Sequence, residues 1–156
     1  MSHIAEYTTV LTEVDIELFK KAMEIVAETL DGNISDTIDS YDEGYNLTSW
    51  RNNDIEMSIR TPNLPQGVGA CFEKGKLVFL CDILQIAEKT TSLVGNELFH
   101  SLESESRKDF KAIQERITNL YTTLALGKVL AERGYKTDVT SVNGGTVIRA
   151  KKAVKG

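Results

Sequence analysis

The first candidate for metal chemistry is a single Glu-x-x-His motif, running from Glu97 to His100. On a helix this spacing places both side chains on one face, as in proteins that hold a carboxylate-bridged pair of iron ions. A complete di-iron site needs a second copy of the motif and two further helical glutamates, and here only Glu88 and Glu103 lie nearby. The single copy therefore favours a surface Glu/His pair, and the sequence predicts no metal and no cofactor.

Nucleophilic catalysis would need Cys or Ser within reach of a histidine, and His3 and His100 are the two histidines of the chain. Cys81 ends an apolar run beside Asp82, and His3 opens the first predicted strand, so the two would meet if those strands adjoin. A cysteine in an apolar run is more often a small core residue. We therefore assign no catalytic residue, and the sequence favours a protein that is not an enzyme.

Four acidic residues lie at or near the ends of predicted strands: Asp54, Glu56, Asp82 and Glu88. Clustered carboxylates could hold the divalent ion of a metal-dependent hydrolase or nuclease. Because 23 of the 156 residues are acidic, chance proximity is also expected. A metal-dependent hydrolase or nuclease therefore remains one alternative function.

Phosphate-binding loops are not indicated by the glycines. Gly67-Val68-Gly69 lacks the later glycine and the Lys-Ser/Thr ending of a nucleotide-binding loop. A small molecule or a nucleotide could still bind in a pocket between the long C-terminal helix and the sheet described below. Small-molecule or nucleotide binding is therefore the second alternative function.

The strongest candidate for binding a partner is an aromatic segment within residues 33 to 54. This stretch is rich in Asp, Asn, Ser and Gly and has no sustained period, which predicts a loop with a short strand near Ile34 to Ile38. It contains the side-chain types that dominate protein interfaces, and long loops in compact domains are often functional. The predicted partner-binding residues are Tyr41, Tyr45, Trp50 and Arg51.

Length and charge restrict the class of protein. A chain of 156 residues predicts a single domain, spanning residues 1 to 156. The net charge of -5 argues against a nucleic-acid partner, because such binding depends on cations that displace counterions from phosphates. Lys151, Lys152 and Lys155 are predicted to form a solvated tail. With neither a signal-peptide pattern nor an apolar run of membrane-spanning length, we expect a cytoplasmic protein that does not bind membranes.

The N-terminal half of the pattern predicts a strand over residues 3 to 11 and an amphipathic helix from Asp15 to Leu30. A half-buried strand follows at residues 55 to 60. Two apolar runs, Val68 to Phe72 and Leu77 to Cys81, read as a hairpin turning at Lys74-Gly75. Its register places the two cysteines on opposite faces, so they cannot pair.

The C-terminal half predicts an interrupted helical region from Asp82 to about Leu102, which Gly95-Asn96 divides. The polar stretch from Glu103 to Asp109 is read as a hinge or as the exposed start of the next helix. A long amphipathic helix of about 28 residues then ends at Gly134. A final hairpin turns at Asn143-Gly144, with Val139 opposite Ile148 and Asp138 opposite Arg149 as a charge pair.

Several of these motifs resemble one protein family. They are Met1-Ser2-His3, Gly44-Tyr45-Asn46, the hairpin from Val68 to Asp82, Arg116-Ile117, Tyr121, Gly134-Tyr135 and the final hairpin ending at Arg149. They are similar to the short uncharacterised proteins of algal plastids, cyanobacteria and some phages, known as a hypothetical chloroplast reading frame and a domain of unknown function. The chain departs from the family in a longer stretch from Ile83 to Lys108 and in lacking its tryptophan-rich segment. The family has no established activity and is associated with a neighbouring AAA-type ATPase, so the resemblance implies a partner or regulatory role.

Together these patterns predict an α+β fold: an antiparallel sheet of about six strands, with the N-terminal helix and the long C-terminal helix packed on one face. The hairpin at residues 68 to 81 is apolar on both faces and should be central. The leading functional hypothesis is a non-enzymatic binding or adaptor protein. Its partner would be another protein, such as an AAA-type ATPase, or a second copy in a homo-oligomer.

Overall fold

The computed structural model describes residues 4 to 41, 47 to 50, 55 to 83, 96 to 142 and 145 to 152. Within them the chain forms an α+β fold, as predicted, built on a five-stranded antiparallel sheet of order β1-β7-β6-β5-β2. The strands of this sheet are β1 (Ile4–Thr12), β2 (Asn33–Ser35), β5 (Ile55–Arg60), β6 (Val68–Glu73) and β7 (Lys76–Asp82). Two two-stranded sheets accompany it: β3 (Ile38–Tyr41) with β4 (Leu47–Trp50), and β8 (Tyr135–Val142) with β9 (Gly145–Lys152).

The β6–β7 hairpin is the centre of the main sheet, and its predicted register is confirmed. Phe72 pairs with Leu77 and Cys71 with Val78. Lys74 and Gly75 both have positive φ, at 51° and 81°, which is the backbone of the two-residue turn that matches strand twist. Cys71 and Cys81 are buried on opposite faces and form no disulfide. Two continuous apolar runs and the Lys74-Gly75 turn were sufficient to predict this hairpin, because both of its faces are covered.

One face of the sheet is covered by the two helices, α1 (Ile16–Thr29) and α2 (Asn96–Glu132). The shared core contains Phe19, Met23 and Val26 of α1, Phe110, Ile113, Ile117 and Tyr121 of α2, and Ile59, Val68, Leu77, Phe79 and Cys81 of the sheet. The ring of Phe19 lies 5.9 Å from that of Phe72 and 6.0 Å from that of Tyr121, both edge to face. Phe19 therefore joins both helices to the central hairpin.

The other face of the sheet is covered by β3. The short strand predicted near Ile34 is present as β2, whereas the loop predicted for the rest of residues 33 to 54 is wrong at β3 and β4. Ile38 of β3 is fully buried against Cys71, Val78 and Leu80. Polar contacts hold the strand in place: Arg60 Nη1 donates to Asp39 Oδ2 at 2.6 Å, and Ser40 Oγ donates to Asp82 Oδ2 at 2.9 Å. The polar residues that suggested a loop are thus bound by partners distant in sequence.

Helix α2 is one continuous helix of 37 residues from Asn96. The stretch from Glu103 to Asp109 is therefore helical, and the predicted hinge is wrong. Of the helical region predicted from Asp82 to Gly95, the structure describes only Asp82 and Ile83. The helix stops as predicted, with Gly134 at a φ of 88° that glycine adopts without strain.

The hairpin of β8 and β9 forms its own ribbon and does not join the main sheet. Its predicted register is confirmed, with Val139 opposite Ile148 and Asp138 opposite Arg149. Among the described ion pairs none joins Asp138 to Arg149, so the expected charge pair is not formed. Lys151 and Lys152 belong to β9, which corrects the prediction of a tail for those two residues.

Candidate functional site

A groove of about 420 Å³ lies between β1 and α2. One wall is the edge strand β1, and the other is the middle part of α2, from Arg107 to Asn119. Its lining includes Ala5, Glu6, Tyr7, Val10 and Leu11 from β1, and Arg107, Phe110, Lys111, Gln114, Glu115, Thr118 and Asn119 from α2. The groove is thus open along an edge of the main sheet.

The β1 wall exposes two large apolar side chains. Tyr7 pairs with Phe79, a core residue on the helix-covered face, yet Tyr7 is 54% exposed. Val10 is 92% exposed, the highest value among the exposed large hydrophobic residues described. Exposed aliphatic and aromatic residues on an edge strand are a hazard that proteins usually remove, so these two side chains make the β1 edge a candidate interaction surface.

The exposure of Val10 has a local cause, an irregularity in the β1–β7 ladder. Thr8 pairs with Val78 and Thr12 with Lys76, so three residues of β1 lie opposite Leu77 alone. Thr9 is buried there, and its Oγ1 donates to the carbonyl of Leu77 at 2.9 Å and accepts from the amide of Leu11 at 3.2 Å. The Thr9 hydroxyl thus takes the place of hydrogen bonds in the β1–β7 ladder. The extra residues orient the side chain of Val10 toward solvent.

The α2 wall combines a buried floor with a polar rim. Phe110 and Gln114 are 5% and 8% exposed, while Arg107, Lys111 and Glu115 are exposed along the rim. The rim residues follow one another at four-residue steps, which places them in a line along one helix face. The groove therefore offers apolar contact below and charged or amide groups beside it.

Asp15 joins the start of α1 to α2 close to the groove. Its backbone N–H donates to the Tyr121 hydroxyl at 3.0 Å, and its Oδ2 accepts from Lys128 Nζ at 2.7 Å. Asp15 follows β1 by three residues and caps α1 through a 3.2 Å hydrogen bond from the amide of Leu18. The hydrogen bond from Lys128, followed by that from Leu18, lowers the pKa of Asp15.

A second cavity, of about 340 Å³, lies at the opposite side of α2, against the segment 61–64 and Leu30. Asp109 and Arg116 line it, two turns apart on the helix. Burial, and then the nearby charge of Glu105, raises the pKa of Asp109. This cavity is smaller and holds no cluster of catalytic groups among the described residues, so the groove is the stronger candidate.

Two of the four predicted partner-binding residues, Tyr41 and Trp50, lie in the β3–β4 hairpin. Tyr41 ends β3 and pairs with Leu47, and Trp50 ends β4 and pairs with Ile38. Tyr45 and Arg51 lie outside the described residues. The segment is therefore a hairpin packed on the sheet, and two of its four predicted residues occupy defined strand positions.

The carboxylates proposed for a hydrolase are not brought together where they are described. Asp82 is fully buried and accepts from Ser40, whereas Glu56 is on the surface, 3.9 Å from Lys20 Nζ. Asp54 and Glu88 lie outside the described residues. Among the residues that are described, no three His, Cys, Asp or Glu side chains are grouped so that they could hold a metal ion.

The histidines give no catalytic pair on the described surface. Strands β1 and β7 do adjoin, with Ile4 opposite Asp82, as a meeting of His3 and Cys81 would require. His3 itself lies outside the described residues. Glu97 and His100 both belong to α2, where their spacing is helical as predicted.

Sequence reasoning named a pocket between the long C-terminal helix and the sheet as an alternative site, but it did not identify the residues that line the groove. Tyr7 and Val10 were assigned to the first strand, but their exposure depends on β1 being an edge strand with a bulge. Neither property is visible in local periodicity. Comparisons with protein-family models, with curated proteins and with solved structures find no match to this chain. In the part of the chain that the structure describes, no helix is both long and apolar enough to cross a membrane.

Proposed function

We propose that this protein is a non-enzymatic adaptor that binds an extended segment of a protein partner along β1, in the groove between β1 and α2. The observation that carries the proposal is the exposure of Val10 and Tyr7, at 92% and 54%, on the edge strand that forms one wall of the groove. An added strand would cover both side chains. It would also complete the backbone hydrogen bonding of the sheet edge.

The backbone of β1 supports strand addition. β1 is the terminal strand of the five-stranded sheet, and within the described residues only β7 pairs with it. A terminal strand presents a row of N–H and C=O groups on its outer side. From Ile4 to Thr8 the β1–β7 register runs without a shift, so a partner strand could continue the sheet along this part of β1.

The groove supplies side-chain recognition for such a segment. Phe110 forms the apolar floor of the groove. The side-chain amides of Gln114 and Asn119 also line it and could hydrogen-bond to a peptide backbone or to a polar side chain. Arg107 and Lys111 give the rim at the earlier turns a positive charge, and Glu115 follows them. This arrangement suits an extended chain that lays alternate side chains into the groove.

The volume of the groove also falls in the range of small-molecule sites, which span about 300 to 1,000 Å³. An extended partner would cover both the side chain of Val10 and the backbone edge of β1, whereas a compact ligand would leave one of the two uncovered. The hydrolase alternative has no grouped carboxylates to support it among the described residues. Protein binding is therefore the function that the geometry supports best.

The proposal is tested by photo-crosslinking. Tyr7 is replaced by a photoreactive phenylalanine analogue in the cells that naturally contain the protein, and cross-linked peptides are identified by mass spectrometry. We expect a defined peptide from another protein, and the resemblance makes an AAA-type ATPase one partner to look for. The matched control carries the same analogue at Ile34 in β2, on the opposite edge of the sheet, where Ile34 is 39% exposed.

Val10→Asp, combined with the probe at Tyr7, should reduce the cross-linked product by more than about tenfold, because a buried carboxylate without a partner opposes binding. Ile34→Asp should leave the product unchanged. Thermal unfolding of both variants should match the parent, since both side chains are exposed. Equal labelling at Tyr7 and Ile34, or cross-links to this chain alone, would refute a heterologous partner at β1.

A further inference from the structure

The ribbon formed by β8 and β9 has one strongly basic face. A Cβ placed on Gly127 of α2 would lie 3.1 Å from Ile148 Cδ1 and 3.9 Å from Thr137 Oγ1, so these two residues face the helix. Because side chains alternate along a strand, Lys136, Arg149 and Lys151 lie on the other face. All three are exposed. We refer to this surface, together with Val147, as the outer face of the ribbon.

The outer face contains an unfavourable pair. Lys136 and Lys151 are direct register partners, and like charges placed opposite each other destabilise a pair of strands. Asp138 is the single acidic residue of the described outer face, and it forms no described ion pair with its register partner Arg149. The outer face therefore carries three cations and one carboxylate, and a bound anion would relieve the repulsion between Lys136 and Lys151.

Charge is also divided unevenly along the chain. Residues 133 to 156 hold six of the 18 Lys and Arg residues and one of the 23 Asp and Glu residues, a net charge of +5. Residues 1 to 132 hold the other 12 basic and 22 acidic residues, a net charge of -10. The overall value of -5 therefore conceals a basic segment attached to an acidic body, a distribution typical of proteins that bind a polyanion at one end.

We propose that the outer face of the ribbon binds the backbone of a single-stranded polynucleotide. Val147, Arg149 and Lys151 follow one another on β9 at intervals of about 6.8 Å, comparable with the distance between successive phosphates of an extended strand. Arg149 offers a planar cation, and Val147, which is 41% exposed, offers apolar contact to a base. These two features favour a polynucleotide over an acidic peptide.

The acidic body determines which nucleic acid fits. A rigid duplex that reached beyond the ribbon would approach the net charge of -10 of residues 1 to 132. A flexible single strand needs only a short footprint, and Asp138 repels phosphate from the β8 side. The path that remains runs over Arg149 and Lys151, with Lys136 beside it.

The experiment measures fluorescence anisotropy of labelled single-stranded RNA and DNA of about 12 nucleotides, titrated with the full chain. We expect saturable binding at about 50 mM salt that weakens up to about 200 mM, with a slope near -2 in a plot of log K against log salt, for three cations. The RNA and DNA arms show which sugar is preferred. A duplex of equal length should bind at least about fivefold more weakly, because the acidic body repels it.

Arg149→Glu/Lys151→Glu should weaken binding by more than about tenfold. The control Lys74→Glu/Lys76→Glu makes the same change of net charge in the exposed β6–β7 turn and should bind as the parent does. Lys136→Glu should weaken binding while leaving the thermal midpoint equal or higher, because an opposite-charge pair replaces Lys136–Lys151. If Lys136 had only a structural role, Lys136→Glu would not weaken binding while leaving the thermal midpoint equal or higher.

The proposal is overturned if the parent fails to bind either strand at about 50 mM salt, or if both double variants bind equally. It is also overturned if polyglutamate at the same charge concentration competes as well as unlabelled single strand, since the face would then recognise an acidic protein segment. Neither outcome bears on the β1 groove, which lies on other residues.

Discussion

At the scale of single residues, Asp15 carries three connections at once. Its carboxylate caps α1 at the amide of Leu18, it accepts from Lys128, and its backbone N–H donates to the Tyr121 hydroxyl. Its pKa is lowered first by the hydrogen bond from Lys128, and the same contact raises the pKa of Lys128. The two directions agree, as they must for one interaction. Asp15 thus joins the start of α1 to the second half of α2.

Lys128→Ala should therefore raise the pKa of Asp15 toward its ordinary value of 3.8, as measured by carboxyl chemical shifts in an NMR titration. Because the folded-state pKa of Asp15 is lowered, its contribution to the free energy of unfolding is present above the unfolded pKa and lost as pH falls through the folded pKa. The variant should thus be less stable than the parent at pH 7, and the difference should vanish as the pH falls through the folded-state pKa of Asp15. Lys108→Ala removes an exposed α2 lysine as a control. An unchanged Asp15 titration in Lys128→Ala would contradict this explanation.

At the scale of elements, short sequence patterns predicted the hairpins, whose geometry depends on interactions between residues close together in the chain. Lys74-Gly75 and Asn143-Gly144 are turn sequences, and the registers of both hairpins followed from them. The hairpin of β3 and β4 was missed because its polar residues are satisfied by Arg60 and Asp82, which lie far along the chain. The residues that line the groove were not predicted, because only strand order makes β1 an edge. Pattern reasoning identifies elements, but their neighbours decide which faces are exposed.

Gly127 controls how the ribbon attaches to α2. Gly127→Ala should leave stability unchanged or raise it by up to about 1 kcal/mol, because alanine favours helix and the flexible Ile148 methyl, 3.1 Å away, can shift. Gly127→Leu has no such room and should displace the ribbon from the helix. Hydrogen exchange would then show amide protection in β8 and β9 falling by more than about tenfold, with the main sheet unaffected. Equal protection in both variants would show that Gly127 does not set this contact.

At the scale of the whole molecule, the fold has two parts that share α2. The described core clusters contain residues of the main sheet, α1, β3 and the part of α2 from Phe110 to Tyr121, but none from β8 or β9. The ribbon packs against α2 at Gly127, beyond that part of the helix. The core should therefore remain folded when the ribbon is removed.

A chain ending at Gly134 should fold cooperatively with a thermal midpoint within about 5 °C of the full chain, because the removed residues contribute nothing to the described core. Circular dichroism during heating measures this. The same chain should lose polynucleotide binding and keep cross-linking at Tyr7. Loss of cooperative unfolding would show that the ribbon is an integral part of the fold.

The central hairpin also carries two thiols with different surroundings. Cys81 is buried beneath the helices and Cys71 beneath β3, on opposite sides of the same two strands. A thiol reagent reaches Cys81 only when the helical layer separates from the sheet, and reaches Cys71 only when the β3–β4 hairpin lifts. The protein thus contains a natural reporter for each of its two internal interfaces, and a single labelling time course resolves the order in which its layers come apart.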